Sequence, residues 1–376
     1  MTDTTPPRLA LRQRWHRLRT SPRFPYLLFF GLLVAGGLSQ VYCYWWDVQI
    51  RQMLARNSGV VERINVYPPW IKTCLGTKFV SHFEPIRSIR MYRGLPDMIH
   101  AGPDDLRWLR GLFFLRDLDF DVRSDLSDVD LHHLRRLTQL RSVDFSFASK
   151  EAIYSVEKHP KLKSLRFNFR ELTDADPEMY RRLAAMPQLE RLSCYFNHDD
   201  GSNPDVAAGL RELAMSPTLY RLQTPLLGRE QFLALTSRLP DGRPPLPELR
   251  ELIVRVSSGL ASGDCANFQN FPNLIHLDLT RSSITNADLK DLKKIPHLRT
   301  LYLEDIREIT DEGAAILASM YNLQSLNVKQ TRISKDGLLR LTTLPRLRCL
   351  RAHPGGPEAR AEFRKRLPAG CELDDN

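Results

Sequence analysis

The chain has 376 residues, enough for two or three ordinary domains or one long repeat array. With 42% hydrophobic and 26% charged residues, its bulk can bury a core, which excludes a disordered polymer. The net charge of +10 would point to nucleic acid, but Arg8, Arg12, Arg14, Arg17, Arg19 and Arg23 against Asp3 place half of it within the first 24 residues. What remains is ordinary for the rest of the chain, so no nucleic-acid partner is expected.

The stretch "FPYLLFFGLLVAGGLSQVYCYWW" from Phe24 to Trp46 holds 23 residues without a charge. At about 1.5 Å per helical residue it can cross a hydrocarbon core of about 30 Å. The six arginines before it hold the N-terminus in the cytoplasm, and Tyr42, Tyr44, Trp45 and Trp46 suit the far interface. A cleaved signal peptide is the alternative, with Ala35, Gly36 and Gly37 as the small-residue site. The long basic arm and the continuing apolar run favour an anchor, and either reading places everything after Asp47 outside the cytoplasm.

The expected organisation is a basic cytoplasmic arm (1–23), a transmembrane helix (24–46), a juxtamembrane helix and N-terminal cap (47–85), a repeat region (86–352) and a C-terminal cap (353–376). Within the cap region "VQIRQMLAR" reads as a helix, Asn57-Ser58-Gly59 as a turn and "WIKTCLGTKFV" as a capping segment. From Leu274 the pattern Leu-x-x-Leu-x-Leu recurs at Leu298, Leu323 and Leu347, at spacings of 24, 25 and 24. Looser copies begin at Ile86, Leu115, Leu140, Leu162, Leu189, Leu219 and Leu249.

A period of 20–29 with this spelling is the leucine-rich repeat. Its apolar residues point inward from a short parallel strand while alternate residues face out. An Ile-Thr or Ile-Ser turn follows, and a stretch such as "NADLKDLKKI" returns the chain as a helix burying Leu289, Leu292 and Ile295. Thr285 and Asp311 are the expected helix N-caps. One copy cannot bury both faces, so copies stack into a solenoid with parallel strands on the concave face and short helices on the convex face. "NHDDGSNP" and "PDGRPP" are extra loops expected at its rim, and "AEFRKRLPAGCEL" gives a last helix and strand.

The register also names the residues that face outward from the strands. They are Asp117, Asp119, Asp121 and Asp144 at one end, then Arg166, Arg191, Tyr195, Arg221 and Arg255, then His276, Asp278, Tyr302 and Glu304. An acidic end beside a basic, aromatic middle is a candidate ligand-binding surface, since Tyr and Arg are enriched at binding hot spots. Carboxylates this close repel unless something offsets them. Calcium, a basic partner and a neighbouring arginine are the options. Arg90 and Arg166 fall at the strand position of Asp119 and Asp144, which favours internal pairing.

Trp70, Ile71, Leu75 and Gly76, then Ile309, Thr310, Asp311 and Gly313, then Leu367, Pro368 and Cys371 spell motifs that invite a family comparison. With the N-terminal span, the chain resembles the membrane-anchored leucine-rich repeat proteins of planctomycete-type bacteria. The resemblance implies binding of a protein or envelope ligand and supplies no catalytic residues. The repeats also resemble those of F-box substrate adapters, although no F-box is visible.

No Gly-x-Ser-x-Gly, phosphate-cradling loop or His-Glu-x-x-His occurs, so no enzyme, cofactor or metal is expected. His132 and His133 are adjacent and cannot converge on one helix face. "NHDDGSN" lacks the spacing of an EF-hand loop and reads as a surface turn. Cys194 and Cys265 fall on apolar repeat positions, while Cys349 and Cys371 lie close enough in sequence for a disulfide at the C-terminal end. The expectation is a non-catalytic binding protein, with a structural envelope scaffold as the alternative.

Overall fold

Leucines spelled every two dozen residues are buried only if copy stacks on copy, and the chain does so. A computed structural model describes residues 44, 48, 59–63, 86–91, 115–120, 134–148, 150–169, 176–196, 202–256, 260–261 and 263–374. The strands are β1 (Gly59–Arg63), β2 (Ile86–Met91), β3 (Asp117–Phe120), β4 (Ser142–Ala148), β5 (Ser164–Phe169), β6 (Arg191–Phe196), β7 (Arg221–Leu227), β8 (Glu251–Val256), β9 (His276–Asp278), β10 (Thr300–Tyr302), β11 (Ser325–Asn327), β12 (Cys349–Arg351) and β13 (Glu372–Asp374). They form one sheet in sequence order. From β2 onward every described pairing is parallel.

Behind the sheet lie α1 (Lys150–Val156), α2 (Pro177–Ala184), α3 (Pro204–Leu213), α4 (Arg229–Thr236), α5 (Leu289–Leu292), α6 (Asp311–Leu317), α7 (Lys335–Leu341) and α8 (Pro357–Arg366). Short 3-10 turns at Leu134–Arg136 and Asp264–Asn270 take the helix's place in two repeats. Parallel strands alternating with short helices or 3-10 turns make this a leucine-rich repeat solenoid.

The inward positions align into ladders. Ile89, Leu118, Val143, Leu165, Leu192, Leu222, Leu252, Leu277, Leu301, Leu326 and Leu350 form one continuous row, none more than 2% exposed. At the junctions from β3 to β12 a carbonyl just before one strand accepts two N–H groups from the next repeat, as Arg299 O does from Gln324 and Ser325 at 2.7 and 3.0 Å. That keeps a parallel edge satisfied where the strands start.

A second inward ladder runs three residues beyond the first position of each strand. It holds Phe145, Phe167 and Cys194 early in the array and Leu279, Leu303, Val328 and Ala352 late. Burial pushes the Cys194 thiol up to about 12, so it acts as a small apolar side chain. Cys265 is equally buried, as expected of its apolar repeat position.

The two expected N-caps act otherwise. Thr285 donates its own N–H and hydroxyl to Asp288 Oδ2 at 2.8 and 2.9 Å, because the helix α5 starts only at Leu289. Asp311 is the first residue of α6, so its carboxylate lies past the capping position. It reaches instead to the next repeat, accepting from Ser334 N–H and Oγ–H, each at 2.7 Å. Gly337 permits this approach: a Cβ there would lie 2.1 Å from Asp311 Oδ1. Asn286 makes the same bridge one repeat earlier, to Thr310 N–H and Oγ, and Gly313 leaves the room.

At the first edge β1 pairs antiparallel with β2, a strand the turn expected at 57–59 does not foretell. At the other end α8 buries Phe363 and β13 pairs with β12, the expected terminal helix and strand. Cys349 and Cys371 are free thiols there. Of the predicted membrane span only Tyr44 is a described residue, and the cap motif at 70–76 lies outside the described residues. Among the described residues no helix is long and apolar enough to cross a membrane.

Candidate binding surface

Strand length decides where the open face is wide. Strands β4 to β8 run six or seven residues and β9 to β12 only three. The early strands therefore present up to three outward side chains each, the late ones two. Over β2 to β7 the outward side chains enclose a trough of about 320 Å³. Its rim carries Asp117, Asp119, Asp144, Arg166, Arg191 and Arg221, all named by the sequence register.

Two outward rungs build it. One runs Ser88, Asp117, Ser142, Ser164, Arg191, Arg221, Glu251 across β2 to β8. The other runs Arg90, Asp119, Asp144, Arg166, Ser193, Gln223 across β2 to β7. The expected arginine partner is present: Arg166 Nη1 donates to Asp144 Oδ2 at 3.2 Å. Arg87 stands 3.8 Å from Asp117, and Arg221 pairs with Glu251 at 3.0 Å. Arg191 makes no ion pair among the described residues, although it stands in register with the like-charged Arg221.

Tyr195 is half-buried at the margin of this group. Burial pushes its phenol above the ordinary value, with the Arg166 cation opposing. The structure separates the other predicted residues from the trough. Arg255 is exposed on β8, beyond the trough's last strand. Tyr302 lies on β10, its ring edge-on to His276 at 5.1 Å and under the Arg351 guanidinium at 5.3 Å. Asp121 lies outside the described residues, as do His132, His133 and most of the "NHDDGSN" loop.

The trough also contains residues the sequence reasoning passed over: Ser88, Ser142, Ser164 and Ser193. Their signal was their place at outward strand positions, where a small side chain leaves a depression between charged ones. Leu118 and Val143 floor it. Among the described residues no three His, Cys, Asp or Glu side chains converge as metal ligands.

A second hollow, of about 500 Å³, opens on the helix side beside Tyr154, Glu157, His159 and Arg182. Its groups are taken up internally. Arg182 pairs with Glu157 and Glu178 and covers the Tyr154 ring at 4.3 Å. The His159 ring nitrogens face Leu134 O at 2.8 Å and Val156 O at 3.0 Å, tying two repeats together.

The search of protein-family models gives no match. No curated protein matches either. Solved structures do: 240 chains match. One is that of the yeast Rad7 and Elc1 complex, at 13% identity and a TM-score of 0.50, covering 95% of this chain and 98% of that one. Another is the internalin InlF of Listeria monocytogenes, at 16% identity and a TM-score of 0.37, covering 72% of this chain and 69% of that one. Their likeness is in fold. The chain is similar to leucine-rich repeat proteins over nearly its whole length.

Proposed function

We propose that the chain is a non-catalytic recognition protein that binds a protein or envelope ligand on the strand face between β2 and β7. The observation that carries this reading is the trough itself: charged side chains of both signs and small hydroxyls surround an apolar floor. That mixture suits a polar partner surface better than an apolar small molecule. The yeast structure that shares this fold is of a complex between two proteins, which accords with a partner here.

The reading includes a place. The uncharged run at 24–46, behind six arginines, anchors the chain by a single span, with the solenoid on the non-cytoplasmic side. Protease added to intact spheroplasts of an expressing bacterium tests the topology. The solenoid should be digested while a cytoplasmic control stays protected. A solenoid protected together with that control would contradict it.

A further inference from the structure

Along one rung of the trough the chemistry reads acid, hydroxyl, hydroxyl, base: Asp117, Ser142, Ser164, Arg191, on four adjacent strands. At about 4.8 Å per strand, the carboxylate and the guanidinium stand about 14 Å apart. Neither serine hydroxyl makes a hydrogen bond among the described residues, and both line the trough between the charges. Arg191 is exposed and has no ion pair among the described residues, while its neighbour Arg221 is neutralised by Glu251. Among the described residues Asp117 pairs with one exposed arginine, Arg87, at 3.8 Å, a pairing weak enough to exchange for a partner's cation.

We infer that the occupant of the trough is an extended polypeptide segment bearing a carboxylate side chain and a basic side chain four residues apart. This rests on reading the trough as the binding surface. An extended chain rises about 3.3 Å per residue, so side chains four apart are about 13 Å distant and lie on the same face. That matches the rung in both distance and sidedness. Residues two apart share the face but span only about 7 Å, and residues three apart point to opposite faces. The carboxylate takes the planar fork of Arg191, which can bind it through two parallel hydrogen bonds. The basic side chain takes Asp117, with Asp119 and Asp144 beside it on the next rung. The serine hydroxyls meet the peptide backbone lying over them.

Two synthetic seven-residue peptides of identical composition test the spacing on the full-length protein in detergent: Thr-Glu-Thr-Val-Thr-Lys-Thr and Thr-Thr-Glu-Thr-Lys-Thr-Val. The first has its charges four apart and the second two apart. The first is also made with Glu and Lys exchanged, because either chain direction satisfies the rung. We expect one of the four-apart peptides to bind at least about tenfold more tightly than the two-apart peptide, the value of one charge-assisted contact. Arg191→Glu should abolish that preference and accept a peptide with Lys at both positions, while Arg332→Ala, on an exposed turn elsewhere, leaves binding unchanged. Equal affinity for the two spacings overturns the inference.

Panning a random seven-residue library on the same protein separates the two levels of the argument. Enriched peptides that lose binding in Arg191→Glu but lack the four-residue spacing overturn the inference and leave the trough as the binding surface. Enriched peptides indifferent to Arg191→Glu, or no enrichment, overturn both.

Discussion

The array is two kinds of solenoid joined end to end. From β3 to β8 the repeats run 22 to 30 residues, the strands after β3 are long, and the second inward ladder carries Phe145 and Phe167. From β9 to β12 the repeats hold to 24 or 25 residues, the strands are three residues long, and that ladder holds only aliphatic residues. Three residues beyond β9, β10 and β11 comes a left-handed residue at the same repeat position: Arg281, Asp305 and Gln330, with φ of 60, 59 and 58°. That turn cuts the strand short and narrows the open face.

The halves also differ in how side chains at the helix starts are used. In the early half Asp176 accepts from Met179 N–H at 2.7 Å and Asn203 from Asp205 N–H at 2.9 Å, each within its own repeat. In the late half Ser334 caps α7 in the same local way, accepting from Gly337 N–H at 3.2 Å, but Asn286 and Asp311 also reach across to the next repeat. The regular half spends its polar groups on coupling copies together. The irregular half places more charged side chains on its outward face.

Exchanging the ladder residues breaks or sharpens this contrast most strongly. Phe167→Ala should cost about 3–5 kcal/mol in chemical denaturation, as a buried ring is lost. Leu303→Phe, the converse change in the narrower half, should cost about 1–3 kcal/mol by overpacking. A Leu303→Phe protein as stable as the wild type would mean the two interiors are equally wide. Gly337→Ala comes next, at about 1–2 kcal/mol, because its methyl displaces the Asp311 carboxylate from Ser334. Combining it with Asp311→Ala should add little, and full additivity would show that the bridge between repeats contributes nothing.

The smallest effect is acid sensitivity in the regular half. Burial holds the His276 imidazole below its ordinary value, against the pull of Asp278 and Glu251. The unfolded chain therefore takes up the proton first, and the stability present at neutral pH falls as pH drops below about 6.5. His276→Gln should flatten that part of the melting profile. An unchanged profile would place the acid sensitivity elsewhere.

The ladders were legible because strand periodicity needs no tertiary knowledge: Leu301 inward and Tyr302 outward follow from alternation alone. The pairing of Arg166 with Asp144 followed too, since equal repeat positions become cross-strand neighbours. Strand length was not legible, because "LNVKQTRIS" does not announce that Gln330 turns left-handed. Hence Tyr302, Arg255 and Arg191 looked equivalent, although only Arg191 borders the trough. Asp311 was misjudged as a local cap for a related reason. Its hydrogen-bond partner, Ser334, sits 23 residues away, and only stacking brings them together.

The central claim, that recognition belongs to the irregular half, is tested most directly by reversing charge on each half in turn. Asp117→Lys with Arg191→Glu alters the trough, and Glu304→Lys with Arg351→Glu alters the regular face. Each full-length variant is cross-linked in native membranes beside the wild type, and the bands are compared. The trough variant should lose the cross-linked species that the wild type and the other variant share. Retention by the trough variant, with loss in the regular-face variant, would contradict the account.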